Sequence, residues 1–412
     1  MVNKMNNTPK TVWLVNQYAS TLDYGFGGRF YYFAKELSLL GYDVHVFASG
    51  NHHLLKKKPI LNNLLTTELV EGFNFHWIKC LDYPNAHSKI RILSEFDFSK
   101  KISNLNLSLK NPDCIIYSTP SLIGYRGALK LSRRFEAKLI LDIRDLWPLT
   151  LIEMGVSKYH PFIMYLSWLE KKAYNTCDYI ISNWPYANKY INKFNNKIKF
   201  KWIPNGFSLE EFNDFEKLDQ TLINEIPKNK FIVGYCGTVG FVNALETLIQ
   251  SAEILRNNVD IYFLIVGSGK EKKIIQQYAK DRNCHNVIFI DAVNKKQVPH
   301  ILSFFDCCYV GFMDIPLYNY GSSLTKLPEY LASKRPIVYA SNSPFQPVLE
   351  SNSGVSTKAE NPQEISEAIL KLYNISKEER NTLGENAYNF AKENYEYQML
   401  GSKLADIIES LT

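Results

Sequence analysis

The chain of 412 residues lacks most of the short motifs that mark common enzymes. Its eight histidines are scattered, none in HExxH, and no His/Cys/Asp cluster has metal-ligand spacing. No GxxxxGK(S/T) loop occurs, which argues against a P-loop kinase or ATPase. No GxSxG elbow occurs. No Asp-x-Asp pair is available to hold a divalent ion, so no metal is expected. The seven cysteines form no CxxC, their number is odd, and most sit in apolar strand-like runs. That pattern predicts reduced, buried thiols and a cytosolic setting. No apolar run approaches the roughly 18 residues of a membrane-spanning helix. The opening MVNKMNNTPK is expected to lead directly into a strand, without a signal peptide.

What is present is globular. Apolar residues make up 46% of the chain and charged residues 21%. The length suits two domains of about 200 residues each. The net charge of +6 is unevenly spread. Residues 1–205 hold 27 Lys and Arg against 15 Asp and Glu, leaving 20 against 26 for the rest. A basic first half suits nucleic acid, an anionic membrane or a phosphate-bearing substrate, or is a solvated surface with no partner. No recognised nucleic-acid module accompanies it, so nucleic acid is not the expected partner. Lys56 to Lys58 reads as loop solvation.

The chain alternates strand and helix. TVWLVNQY (11–18) is a continuous apolar run of the central parallel type, followed by the turn Gly25-Phe26-Gly27-Gly28-Arg29 and an amphipathic helix to Gly41. VHVFAS (44–49) completes a βαβ unit. The turn is GxGG rather than GxGxxG, and no acid follows the second strand, so it is not a dinucleotide fingerprint. Residues 51–110 read as irregular, with a hairpin near 68–79. CIIYSTP (114–120) and KLILDIRDLWP (138–148) are further strands. Asp142, Arg144 and Asp145 emerge at the end where open α/β sheets bind ligands, with surface salt bridging as the competing account. PFIMYLSWLEKKAYNTC (161–177) is a helix whose apolar stripe reads as core in preference to membrane contact. The domain boundary is expected near 205–230.

The second half restarts the same grammar, from KFIVGYCGTVG (230–240) to PQEISEAILKLY, and ends in a long helical stretch with a break near Gly401. Two doubly wound α/β domains fit this alternation. Glycine turns fall at strand ends: Gly27-Gly28, Gly237 to Gly240, Gly267-Ser268-Gly269 and Gly321-Ser322-Ser323. Together they suit a diphosphate held by backbone donors in an interdomain cleft. In GSSLTKLPEYLASKRPIV (321–338), Lys326 is expected about a turn inside a helix, with Glu329 on the same face. Lys326 would meet phosphate and Glu329 a ribose diol. The bland alternative is a capped surface helix with an i,i+3 ion pair.

These stretches carry a resemblance. GFGGR, LDIRDLWP, IPNGF, GYCGTVG with NALETLI, FLIVGSGKEK and SSLTKLPEYLASKRPIV resemble retaining GT-B glycosyltransferases of family 4. Within them the chain resembles bacterial O-antigen and capsule acetamido-sugar transferases of the N-acetyl-L-fucosamine type. The resemblance implies two Rossmann-like domains facing a cleft. Residues 1–205 would bind acceptor, 206–390 would bind donor, and 391–412 would be a helix packing back on the first domain.

The resemblance also implies roles. Gly28, Arg144 and Asp145 would serve catalysis. Gly27, Gly28, Gly237, Thr238, Gly267, Ser268 and Val293 would line the donor, with Gly321, Ser322, Ser323 and Leu324 at its diphosphate. Lys326 would neutralise phosphate and Glu329 would clamp ribose. The wider family has an acid at the Gly321 position, a His at the Arg144 position, and an Arg and a Lys in the region of Thr238 and Ala244. The implied partners are a UDP-sugar donor, a polyprenyl diphosphate-linked glycan acceptor and the cytoplasmic face of the inner membrane. No cofactor or metal is implied. Two rivals remain: a UDP-sugar 2-epimerase of the same fold, and a non-catalytic sugar-nucleotide-binding subunit.

Overall fold

The computed structural model describes residues 8–85, 88–105, 109–119 and 121–412. Pro120, at the end of the expected strand 114–120, and the first seven residues lie outside them. The chain divides into two units, Met1–Pro204 with Tyr397–Thr412, and Asn205–Glu396. The division falls at the near edge of the 205–230 stretch, and residues 391–396 stay with the second unit.

The first unit holds an eight-stranded sheet in the order β3-β4-β2-β1-β5-β6-β7-β8. Its strands are β1 (Thr11–Val15), β2 (Asp43–Ser49), β3 (Leu65–Val70), β4 (Phe73–Ile78), β5 (Cys114–Ser118), β6 (Lys138–Ile143), β7 (Tyr179–Ser182) and β8 (Phe200–Trp202). Only the β3–β4 hairpin is antiparallel. β1 and β5 are buried along their whole length, which is why they read as unbroken apolar runs. The order reverses between β1 and β5, so the loops after β1, β5 and β6 gather at that switch point.

The second unit is a six-stranded parallel sheet, β11-β10-β9-β12-β13-β14. Its strands are β9 (Phe231–Cys236), β10 (Ile261–Val266), β11 (Val287–Ile290), β12 (Cys307–Gly311), β13 (Ile337–Ala340) and β14 (Gly354–Thr357). Here the switch point lies between β9 and β12. Both units are doubly wound α/β, as expected.

Four expectations need correction. Residues 51–110 are not all irregular: Ile90–Ser103 is a helix. Its buried side holds Ser94, Glu95 and Ser99 among Phe98 and Ile102, so polar residues mask the apolar period. The C-terminal break falls at Glu396, between helices Lys377–Tyr395 and Tyr397–Glu409, and not at Gly401. Gly401 lies inside the last helix, where a Cβ would stand 2.5 Å from the Glu36 Cβ. It permits that helix to press Leu400, Leu404 and Ile408 into the first unit's core. The helix Pro161–Thr176 is core on one side only: Ile163, Leu166, Leu169 and Ala173 are buried, but Met164 and Trp168 face solvent. Asp142 does not emerge at all. It is buried at the end of β6 and paired with Arg29.

The same helix buries Glu170, whose carboxyl accepts from the hydroxyls of Tyr174 (3.0 Å) and Tyr190 (3.1 Å). Burial pushes this carboxyl up to about 8. The folded chain therefore keeps a proton that the unfolded chain loses above about 4.5, and stability falls as pH rises from there to about 8. Glu170→Gln removes the titration and is expected to gain about 3–4 kcal/mol at pH 8 relative to pH 5. Urea melts at the two pH values check this. An equal effect at both would remove Glu170 as the cause.

Candidate functional site

In the first unit the turn after β1 brings Gly27 and Gly28 to the end of β6. Both glycines have positive φ, 65° and 81°, which side-chain-bearing residues adopt at a cost. A cavity of about 240 Å³ opens there, lined by Tyr18, Phe26, Gly27, Gly28, Arg144 and Asp145 among others. The three residues expected in catalytic roles thus share one cavity. The Arg144 amide donates to Thr119 Oγ1 at 2.9 Å, and its carbonyl accepts from Trp184 Nε1 at 2.9 Å, which fixes the backbone between them. Burial pushes the Asp145 carboxyl up, while Arg144 pulls it down.

Sequence reading missed Tyr18 in this cavity. Its hydroxyl donates to Glu95 at 2.8 Å, and Ser121 donates to the other Glu95 oxygen at 2.8 Å. Burial pushes Glu95 up against these hydrogen bonds. Glu95 belongs to the helix that the apolar pattern did not reveal, so nothing in the sequence linked it to Tyr18.

In the second unit the loops after β9 and β12 flank the switch point. Lys326 is not a turn inside a helix. The helix spans Leu327–Ala332, and Lys326 is its N-cap. Nor does Lys326 pair with Glu329. Its Nζ donates to Tyr235 Oη at 2.8 Å and to Asn243 Oδ1 at 2.6 Å. Tyr235 Oη and Asn243 Nδ2 in turn donate to the Thr238 carbonyl, at 2.6 and 3.0 Å. The ammonium therefore lies under the Gly237 turn, where a Cβ on Gly237 would stand 3.5 Å from Nζ. Desolvation pulls the amine down to about 7, with Cys236 the only opposing influence.

The loop that leads into Lys326 has unused backbone donors. Among the described residues, the amides of Ser322, Ser323, Leu324 and Thr325 donate no hydrogen bond. Gly321 starts the loop at φ 94°. Asn205 Nδ2 holds the Ser323 carbonyl at 3.1 Å, and Ser322 Oγ is 3.3 Å from Tyr339 Oη. Free amides beside a lysine hydrogen-bonded only to neutral groups form a site for an anion.

The other residues expected in this unit lie on neighbouring strand ends. The Gly237 amide bonds the end of β10, and the Val239 amide donates to the Ser268 carbonyl at 2.9 Å. A Cβ on Gly267 would collide with the Gly237 carbonyl, so these turns lie back to back. Val293 follows β11, two residues before Lys295. The Lys295 ammonium contacts Glu329 Oε1. Sequence reading missed Lys295, Asn243 and Tyr235, whose partners are distant in the chain. A separate cavity of about 310 Å³ in this unit is lined by Glu246, Glu271 and Glu360, and its acidity does not suit a diphosphate. Among the described residues no group of three His, Cys, Asp or Glu side chains is placed to hold a metal ion.

The family model "Glycosyl transferases group 1" matches residues 219–390, and "Glycosyltransferase Family 4" matches residues 25–211. WcaI of Escherichia coli (strain K12), named as a colanic acid biosynthesis glycosyl transferase, is 25% identical over 231 residues, covering 54% of this chain and 56% of WcaI. MJ1069 of Methanocaldococcus jannaschii, an uncharacterized glycosyltransferase, is 23% identical over 58% of this chain and 60% of its own. The chain thus matches little more than half the length of these relatives. Among solved structures, sucrose-phosphate synthase from Thermosynechococcus elongatus superposes with a TM-score of 0.74 at 15% identity, over 98% of this chain and 99% of that one. WaaG, a glycosyltransferase involved in lipopolysaccharide biosynthesis, gives 0.64 at 14% identity over 96% and 99%. Anabaena HepE in complex with UDP and glucose gives 0.66 at 12% identity over 97% and 100%. At these identities the likeness is one of fold.

Proposed function

We propose, from the premise that the chain is a GT-B glycosyltransferase of the group 1 and family 4 kind, that it moves an acetamido or deoxy sugar from a UDP-sugar to a lipid-linked glycan with retention. The observation that carries this reading is the second unit's candidate anion site: the free amides of residues 322–325, which lead directly into Lys326, and its amine bonded only to neutral groups. A diphosphate suits it by charge and by the kind of donors it offers. As the bond from the anomeric carbon to the diphosphate oxygen breaks, negative charge grows on the diphosphate. Preorganised donors stabilise that charge. The acceptor hydroxyl bonds to the anomeric carbon from the same face, and its proton passes to a diphosphate oxygen. No glycosidase-type carboxylate pair and no metal is needed on this route.

Glu329 takes the ribose diol with the carboxylate oxygen that Lys295 leaves open. Glu329→Ala is expected to weaken UDP binding by about 10- to 100-fold, the loss of a charged hydrogen-bond acceptor. Unchanged affinity by calorimetry would end the ribose assignment. The HepE and WcaI likenesses support a nucleotide-sugar donor and a role in surface-polysaccharide synthesis. The acceptor is a polyprenyl diphosphate-linked glycan met at the cytoplasmic face of the inner membrane. No helix among the described residues is long and apolar enough to cross a membrane. The deciding experiment is a mass-spectrometric screen of UDP-, GDP- and dTDP-sugars against polyprenyl diphosphate-linked mono- and disaccharides. A product one sugar heavier, from a UDP donor only, supports the reading. Conversion of the UDP-sugar without acceptor replaces transfer by epimerisation.

A further inference from the structure

The helices Ile90–Ser103 and Pro161–Thr176 of the first unit share an aromatic ladder. Phe96 stacks on Tyr165 with ring centres 6.1 Å apart, and Tyr165 stacks on Trp168 at 6.0 Å. Phe96 and Trp168 are exposed, Trp168 by 51%. Leu93 and Met164 stand beside them in sequence, each 58% exposed. Tyr165, like Leu151 and Phe162, packs against the buried cluster of Leu122, Ile123, Leu166 and Leu169, and between Leu151 and Phe162 the chain carries Met154 and Tyr159 into solvent. No core requires these side chains at the surface.

Cations border the ladder. A groove of about 260 Å³ is lined by Phe96, Ser99, Lys100, Ser103, Arg126 and Lys130, with Gly127 between them. It holds three cations, two hydroxyls and no carboxylate. The helices that form it, Ile90–Ser103 and Tyr125–Phe135, touch backbone to backbone, since a Cβ on Gly127 would run into the Ser99 carbonyl. Arg126 Nη1 donates to Tyr165 Oη at 3.3 Å, which joins groove to ladder. Lys172 lies over the Trp168 ring at 5.0 Å and Lys158 over Tyr159 at 5.1 Å. The neighbouring acids are spent or buried: Asp97 is held by Lys101 and the Leu81 amide, and Glu95 and Glu170 are buried. Glu153, next to Met154, is the exposed exception.

We propose that this face of the first unit docks on an anionic phospholipid surface, with Trp168, Phe96 and Met164 in the interface and lipid phosphate in the Lys100–Arg126–Lys130 groove. Exposed aromatics ringed by cations suit the interfacial layer of a bilayer. A protein partner of ordinary composition would bring carboxylates for the groove but gains nothing from the ring of lysines over exposed rings. The inference rests on the reading that the acceptor is lipid-linked, since that reading supplies the membrane.

The test is sedimentation of the full chain with phosphatidylcholine vesicles, with and without 30% phosphatidylglycerol. Binding is expected only to the anionic vesicles, and to weaken in 0.5 M salt. Each cation near the surface is worth about fivefold in partitioning. Lys100→Glu/Arg126→Glu/Lys130→Glu is therefore expected to lose at least about a hundredfold. Trp168→Ser is expected to lose binding and to remove a fluorescence blue shift that anionic vesicles induce in the parent. Both variants should melt as the parent does and keep their activity on a short-chain, water-soluble acceptor analogue. Parent-like vesicle binding by both variants overturns the face while leaving the transferase reading intact. Transfer to free sugars and never to lipid-linked ones overturns the transferase reading's acceptor, whatever the vesicles show.

Discussion

Lys326→Ala is expected to lower the affinity for UDP by about 10- to 150-fold. An ammonium bound to diphosphate in a partly desolvated site makes charge-assisted hydrogen bonds worth about 1.5–3 kcal/mol. The resemblance implies an Arg and a Lys in the region where Thr238 and Ala244 stand here, so phosphate neutralisation leans more heavily on Lys326. The parent's affinity should also depend on pH in a set direction. The amine is pulled down to about 7 while it faces only the Tyr235 hydroxyl and the Asn243 amide. A bound diphosphate restores its charge, so binding takes up a proton. Affinity is then level below about pH 7 and falls by up to about tenfold per pH unit above it. Calorimetry from pH 6 to 9, in two buffers of different ionisation enthalpy, counts the proton directly. Asn243→Asp puts a carboxylate against the amine and should move the break upward while weakening UDP. A flat pH profile with no proton uptake would show that Lys326 is charged before the donor arrives.

The chemistry of this site was legible in the sequence as residue types, but not as partnerships. Lys326 and Glu329 stand three apart on what reads as one helix face. The helix begins one residue after Lys326, so the two diverge: one bonds residues 91 and 83 positions away, the other Lys295. Spacing cannot reveal such partners, because parallel-sheet topology joins them through strand ends. The same physics explains which elements were readable. β1, β5, β9 and β10 are covered on both faces and carry unbroken apolar runs. β14 is half-buried along all four residues, and GVST gives no such signal. The helix Ile90–Ser103 hides its period because hydrogen-bonded polar side chains, Glu95 above all, fill its inner face. Polar residues sit there because Gln17 and Tyr18, in the loop after β1, bond Ser94 and Glu95.

Arg29→Ala is expected to destabilise the first unit by about 3–5 kcal/mol, the cost of leaving a buried charge without its partner. Arg29 and Asp142 are both fully buried, with Nη2 3.0 Å from Oδ1. Ser118 Oγ donates to the second Asp142 oxygen at 2.8 Å. Arg29 Nη1 donates to the carbonyls of Ile203 (2.7 Å) and Pro204 (2.5 Å), and the guanidinium lies 4.7 Å from the Phe33 ring centre. One side chain thus ties the Gly27-Gly28 turn, the end of β6 and the last residues before the second unit begins. Asp142 reads as site chemistry because it stands near the end of a strand where open sheets bind ligands. The full burial of the pair and the Arg29 bonds to the backbone carbonyls of Ile203 and Pro204 make it a structural clamp, and Arg144 and Asp145 are the residues of that loop that line the cavity. For a unit of about 200 residues the loss corresponds to a fall in Tm of about 10 °C. Asp142→Asn should cost nearly as much, since it strands the guanidinium. Arg29→Met with Asp142→Leu should recover much of the loss, because replacing both charges removes the desolvation cost of each. Urea and thermal melts of the four proteins decide the matter: a single Arg29→Ala loss below about 1 kcal/mol would mean the clamp contributes no more than an exposed pair.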